Sequence, residues 1–135
     1  MSIKLRTVFV LLAASLCLAA CEGEHEHVHE GSASLATCPA DNTLTYDTFG
    51  KAFMTSYCVR CHSSKLKGSA REGAAEGHDY DTLNGILPWF DHIDEHAAAG
   101  PTIINTEMPP SGPLPTDDER RKLGQWLACE AKKKG

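Results

Sequence analysis

Residues 57–64, YCVRCHSS, constrain this chain more than any other stretch. Two cysteines stand three positions apart, and a histidine directly follows the second. The run closes a helical pattern. Tyr46, Phe49, Phe53 and Tyr57 recur at intervals of three and four, the spacing of one apolar helix face. Thr45 stands where an N-cap belongs. Gly50 lies on or beside that face, where glycine costs about 1 kcal/mol relative to alanine, so it predicts close approach by another backbone. Whatever the thiols and imidazole do, they do it at the C-terminal end of a helix.

The rest of the chain reads as helices and loops. Residues 63–77 are rich in Ser, Lys, Gly and Ala and form a loop. Asp79 or Asp81 is placed to cap a short helix through Leu83 and Ile86. Pro88 suits the first turn of another helix, which carries Trp89, Phe90, Ile93 and Ala97 and has Gly100 as its stop. The run PTIINTEMPPSGPLP holds too much proline for a helix or a central strand and is an extended loop. Thr116 and Glu119 then form a capping box. They open a last helix with Leu123, Trp126 and Leu127 on one face and Gly124 near it. Lys132, Lys133 and Lys134 suit the negative pole at its end. No segment has the alternation of a strand, and no repeat is visible. The expectation is an all-α domain, small enough to gain from a prosthetic group and a disulfide.

The first twenty residues are not expected to belong to that domain. Lys4 and Arg6 precede an apolar run, VFVLLAASLCL, that is too short to span a bilayer. It ends in Leu18-Ala19-Ala20-Cys21, which resembles a bacterial lipoprotein signal cut before the cysteine. That resemblance implies a signal peptide over residues 1–20, acylation of Cys21, and a chain held on the periplasmic side of a bacterial membrane. An ordinary secretory signal cut after Ala20 is the alternative, and it also exports the chain. Residues 21–37 then read as the lipidated cysteine and a disordered tether, with the domain over residues 38–135. In the tether His25, His27 and His29 alternate with Glu24, Glu26 and Glu30, either a solvated linker or a short Zn- or Cu-binding tract. Without Lys4 and Arg6 the chain keeps 11 of 13 basic residues against 18 acidic ones, a formal balance of −7. That balance argues against nucleic acid as a partner.

Export leaves Cys38, Cys58, Cys61 and Cys129 in an oxidising compartment. Three chemistries use a close cysteine pair. A thioredoxin-like dithiol lies at the start of a helix in a fold that contains a sheet, whereas this pair ends a helix in a chain with no strands. A structural zinc site needs four ligands; only Cys38 and Cys129 remain as thiolates, and neither has a close-spaced partner. The third is covalent haem attachment, for which C-x-x-C-H is the known signature. The thiols add across the vinyl groups, and the adjacent histidine stands under the iron. By this reading Cys58 and Cys61 hold one haem c and His62 is its proximal ligand.

With that motif in place, residues 45–131 resemble a class I monohaem cytochrome c. The features carrying the resemblance are the helix with Gly50 and Phe53 before CVRCH, the proline-flanked MPPSGP after a long middle section, and the helix RKLGQWLACE. The resemblance implies a cytochrome c-like fold in which the first and last helices cross closely, with Gly50 at the crossing and Leu123 or Trp126 over it. Family members usually carry the aromatic residue four after that glycine. Here Met54 occupies the position and Phe53 comes one earlier. The resemblance makes Met108, followed by Pro109 and Pro110, the second axial ligand. Met54 then packs in the core. If the helices cross, Cys38 and Cys129 approach and are expected to form a disulfide, worth up to about 4.7 kcal/mol in the chain-entropy account.

His78, His92 and His96 compete with Met108 for the iron. His92 and His96 share a helix face beside Asp91, Asp94 and Glu95, which reads as a solvated face. Arg60, Lys51, Lys65, Lys67 and Arg71 surround the motif in sequence; they either steer an acidic partner or are plain surface charge. The expectation is an electron carrier and not an enzyme: a monomeric, lipid-anchored cytochrome meeting other redox proteins briefly. A haem sensor or small haem enzyme with an open or His-ligated sixth site is one alternative. A metal-handling lipoprotein using the His-rich tether is another, and a haem-free thiol oxidoreductase is a more distant one.

Overall fold

The structure, a computed structural model, describes residues 31–133. The signal segment, Cys21 and the histidines of the tether lie outside the described residues. Helix α1 (Lys51–Tyr57) is preceded by a π-helical turn, Tyr46–Gly50. A 3-10 turn, Gly68–Arg71, interrupts the following loop. Helix α2 (Leu83–Ile86) leads through a 3-10 turn, Leu87–Trp89, into α3 (Phe90–Ala97), and α4 (Asp117–Lys132) comes last. Among the described residues no strand forms; Ala99 and Ile104 make one isolated antiparallel bridge. The domain is all-α, as its periodicities predict.

Local signals set most helix starts. Thr45 and Thr48 cap the first turn reciprocally, and Thr116 and Glu119 do the same for α4. Two expectations need correction. Thr82 caps α2, accepting from the Gly85 amide, in place of Asp79 or Asp81. Those aspartates are engaged elsewhere, Asp79 with Arg71 and Asp81 with Ser63 and Ser64. Helix α3 stops at Ala97, before Gly100, because Ala98 turns extended and its carbonyl accepts from the Asn105 amide.

Trp126 of α4 is the centre of the core and is fully buried. Tyr46, Phe49 and Phe90 surround it at ring-centroid distances of 6.4, 6.3 and 6.1 Å. Gly50 lies directly beneath its six-membered ring, so the residue over this glycine is Trp126. The shifted aromatic pattern is accommodated: Phe53 and Met54 are both buried, and Phe53 packs between Phe49 and Tyr57. Ile86, Ile93, Leu123 and Leu127 fill the rest of the core.

The folded region begins earlier than Cys38. Residues 31–37, expected to be part of a disordered tether, run as an extended strap over the end of α3 and the middle of α4. Ser34 is fully buried; its amide and hydroxyl donate to the two carboxylate oxygens of Asp94 at 2.7 and 2.5 Å. The Asn105 side-chain amide donates to the Ser32 carbonyl. A side chain at Gly124 would strike the Ala99 carbonyl and Ala36, so the strap crosses α4 at a glycine. The segment lacks periodicity, and its order comes from partners sixty or more positions away. Beyond it Cys38 and Cys129 are disulfide-bonded, Cα atoms 4.7 Å apart, over a separation of 91 residues.

Candidate functional site

The backbone after α1 wraps back on the helix end. The Met54 carbonyl accepts from the amides of Cys58 and Val59, and the Cys58 carbonyl accepts from those of Cys61 and His62. This turn brings both thiols and the imidazole to one side. They line a single cavity of about 650 Å³. From the far end of the chain, Met108, Pro109 and Pro110 line the same cavity. Its walls are largely apolar, built by Tyr57, Tyr80, Trp89 and Ile93 among others. The volume falls within the range of about 300–1,000 Å³ usual for small-molecule and cofactor pockets.

His62 is held in one tautomer. Its Nδ1 lies 3.1 Å from the His78 carbonyl oxygen. A carbonyl only accepts, so Nδ1 carries the proton and Nε2 is left with its lone pair, the form a metal ligand needs. The ring stacks on Tyr80 at 4.5 Å and 12°. Burial pushes its pKa below the ordinary value, which keeps the imidazole neutral near pH 7.

Behind His78 stands Arg71. Expected on the surface, it is instead buried, at 1% exposure. Its guanidinium donates to the carbonyls of Ser63, Ala74, Ala75 and His78 and pairs with Asp79 at 2.8 Å. One buried cation thus shapes the loop that presents the acceptor for His62. Half of the remaining basic cluster is ion-paired: Lys67 pairs with Glu76, and Arg60 approaches Glu72 at 3.5 Å. Lys51 and Lys65 remain exposed.

Cys58 and Cys61 are free thiols. Burial pushes the Cys58 pKa up to about 12, against the opposing Arg120 charge. Burial, and then the Glu72 carboxylate, raise that of Cys61. Their place at a helix C-terminus disfavours thiolate further, because that pole is negative. Such thiols are poor redox nucleophiles, which counts against the dithiol reading. A zinc site loses its remaining thiolates, since Cys38 and Cys129 are bonded to each other. Among the described residues no group of three His, Cys, Asp or Glu side chains is placed to hold a metal ion.

Met108 lines the cavity wall. Its backbone is held at both ends: the amide donates to the His96 carbonyl at 2.9 Å, and the carbonyl accepts from Arg120 at 2.8 Å. Arg60, inside the cysteine motif, reaches across to the Gly112 carbonyl at 2.8 Å and to the Ser111 hydroxyl. The Arg60 Nε is buried without a hydrogen-bond partner, an unmet donor on a residue of the cavity wall.

His78, His92 and His96 also line the cavity. The expectation of a solvated face for His92 and His96 is corrected, because α3 turns both toward the cavity. His78 packs on Trp89 at 3.7 Å and meets His92 at 5.0 Å; His92 lies 4.5 Å from His96, whose Nδ1 pairs with Glu107.

The donor set fits a covalently held haem. Two protonated thiols, one neutral imidazole of fixed tautomer and one thioether line an apolar cavity of suitable volume. Arg71, Arg120 and Tyr80 support this arrangement, and none is marked as doing so by any motif in the sequence. The chain matches no protein-family model, no curated protein and no solved structure.

Proposed function

We propose that this protein is a single-electron carrier, a monohaem c-type cytochrome of class I character, exported and held to a membrane through Cys21. The observation that carries the reading is the convergence on one cavity of Cys58, Cys61 and His62 with Met108 from a distant loop. Cys58 and Cys61 would hold the haem by thioethers, and His62 Nε2 and Met108 Sδ would ligate its iron. When bound, the haem supplies an iron that cycles by one electron between ferric and ferrous states.

The chain's own residues account for the rest. The His78 carbonyl fixes the His62 tautomer, and Arg71 fixes the loop that carries that carbonyl. The apolar walls suit a largely apolar macrocycle, and Pro109 and Pro110 limit the freedom lost when a weak thioether is held. Two protein ligands would leave the iron no open position, which supports reading the protein as a carrier rather than a catalyst. Its partners are other redox proteins met briefly at the cavity mouth.

The test is an absorption spectrum of the full chain exported in a host that matures haem c, oxidised and then reduced. A covalent c-type spectrum with the weak red band of sulfur bound to ferric iron, lost in Met108→Ala, is the expected result. Absence of covalent haem would sink the reading. A second reading is favoured by the three further imidazoles on the cavity: a His-ligated or open sixth site, as in a sensor or small haem enzyme. Ready carbon monoxide binding by the reduced protein, with no sulfur band, would select it.

A further inference from the structure

We propose that Arg120 is the positioning residue for Met108: a buried cation on α4 that holds the distal loop so that the thioether stays at the cavity. The inference rests on Met108 serving as the second axial ligand.

The loop over residues 101–115 cannot organise itself. Its prolines lack amide hydrogens, and Pro109 and Pro110 directly follow Met108, so the carbonyls nearby have few local donors. Arg120 supplies one from outside. Its Nη1 lies 2.8 Å from each of three carbonyl oxygens, those of Ala97, Asn105 and Met108. The first ends α3, the second is inside the loop, and the third belongs to the candidate ligand itself. Arg120 is 2% exposed, and among the described residues no carboxylate lies within ion-pairing distance of it. Its closest partners are these carbonyl dipoles, with the Asp117 carboxylate acting on it from farther off, and the three carbonyls depend on it in turn.

This dependence reaches the candidate ligand directly. Its position is set through the backbone, by His96 on one side and Arg120 on the other. The link continues outward: Asn105 also binds the Ser32 carbonyl of the strap and the Asp94 carbonyl of α3. Lysine cannot replace this arrangement, because all three bonds come from Nη1 and a lysine nitrogen ends one bond nearer its own backbone, short of these fixed carbonyls.

The experiment uses the haem-loaded full chain with Arg120→Lys and Arg120→Gln. Added imidazole is titrated against the ferric protein, with haem content and far-UV circular dichroism recorded alongside. If Arg120 positions the ligand, both variants keep covalent haem and helix. Both bind imidazole at least about tenfold more tightly than the parent, because the population with sulfur on the iron has fallen, and both show a weaker sulfur band. If Arg120→Gln is not recovered folded, Arg120→Lys decides alone. Parental imidazole affinity and sulfur band in Arg120→Lys overturn the proposal, since the charge alone would then suffice. Parental values in Arg120→Gln overturn it too. A parent protein that binds haem but shows no sulfur band, and is unchanged by Met108→Ala, overturns the ligand assignment first and this inference with it.

Discussion

Gly50→Ala sets two known effects against each other. In a helix, alanine is favoured over glycine by about 1 kcal/mol, and Gly50 has ordinary helical dihedrals, φ −57° and ψ −46°. On backbone grounds alone the variant should be more stable. The packing says otherwise. An added Cβ would fall inside contact of the Trp126 ring, 2.6 Å from Cη2 and 2.7 Å from Cε2, where real contacts essentially never occur. Trp126 cannot swing away, being fully buried among Tyr46, Phe49 and Phe90. Overpacking of this kind costs about 1–3 kcal/mol, and a clash with a confined ring belongs at the upper end. The net expectation is a loss of about 1–2 kcal/mol. At about 4–8 °C per kcal/mol for a domain of this size, the melting temperature falls by roughly 5–15 °C. The assay is urea unfolding followed by circular dichroism, at one redox state, for the parent, Gly50→Ala, Trp126→Phe and the double variant. Removing the indole should relieve the clash, so the double variant should lose less than the sum of the singles by about 0.5 kcal/mol or more. Gly50→Ala at or above parental stability, or strict additivity in the cycle, would refute the close crossing of the first and last helices.

Other consequences can be measured independently. Replacing Cys38 and Cys129 with serine should lower stability by about 2–4 kcal/mol, seen as a lower urea midpoint; an unchanged midpoint would mean the bridge contributes nothing. A chain beginning at Cys38 loses the Ser34–Asp94 and Asn105–Ser32 bonds. It should be less stable than one beginning at Gly31 by about 1.5–3 kcal/mol, the value of a hydrogen bond to a charged group; equal stabilities would return the strap to the tether. Glu119 accepts from the Thr116 amide and hydroxyl and from the Tyr57 hydroxyl, which hold its carboxyl below the ordinary value. Its contribution is therefore present above the unfolded value of about 4.3 and is lost as pH falls through the folded one. Glu119→Gln should flatten the acid limb of the stability profile, and an identical limb would deny it that role.

Features carried by a few neighbouring residues were legible in the sequence. Capping by Thr45 and Thr116 needs partners three positions on, and an apolar helix face needs only its own spacing, so helices at both ends of the domain could be placed from local chemistry. The proline run could be read as irregular because missing amides act locally. The motif CVRCH located two thiols and an imidazole on one turn, and the family resemblance singled out Met108 through the prolines that follow it. The rest depended on partners far away in sequence. Arg71 and Arg120 look like any other basic residues until folding gathers several carbonyls around each, and a cation is buried only where such acceptors meet. His92 and His96 share a face with three acidic residues, and only the packing of α3 decided that the imidazoles meet the cavity. The strap over residues 31–37 has no pattern of its own, because its order is borrowed from Asp94, Asn105 and the glycine crossing on α4. The sequence alone therefore determined that the chain forms an all-α domain with a C-x-x-C-H turn at the end of its first helix. Tertiary structure decided which side chains surround that turn, because burial and hydrogen bonding between distant residues exist only once the helices have packed.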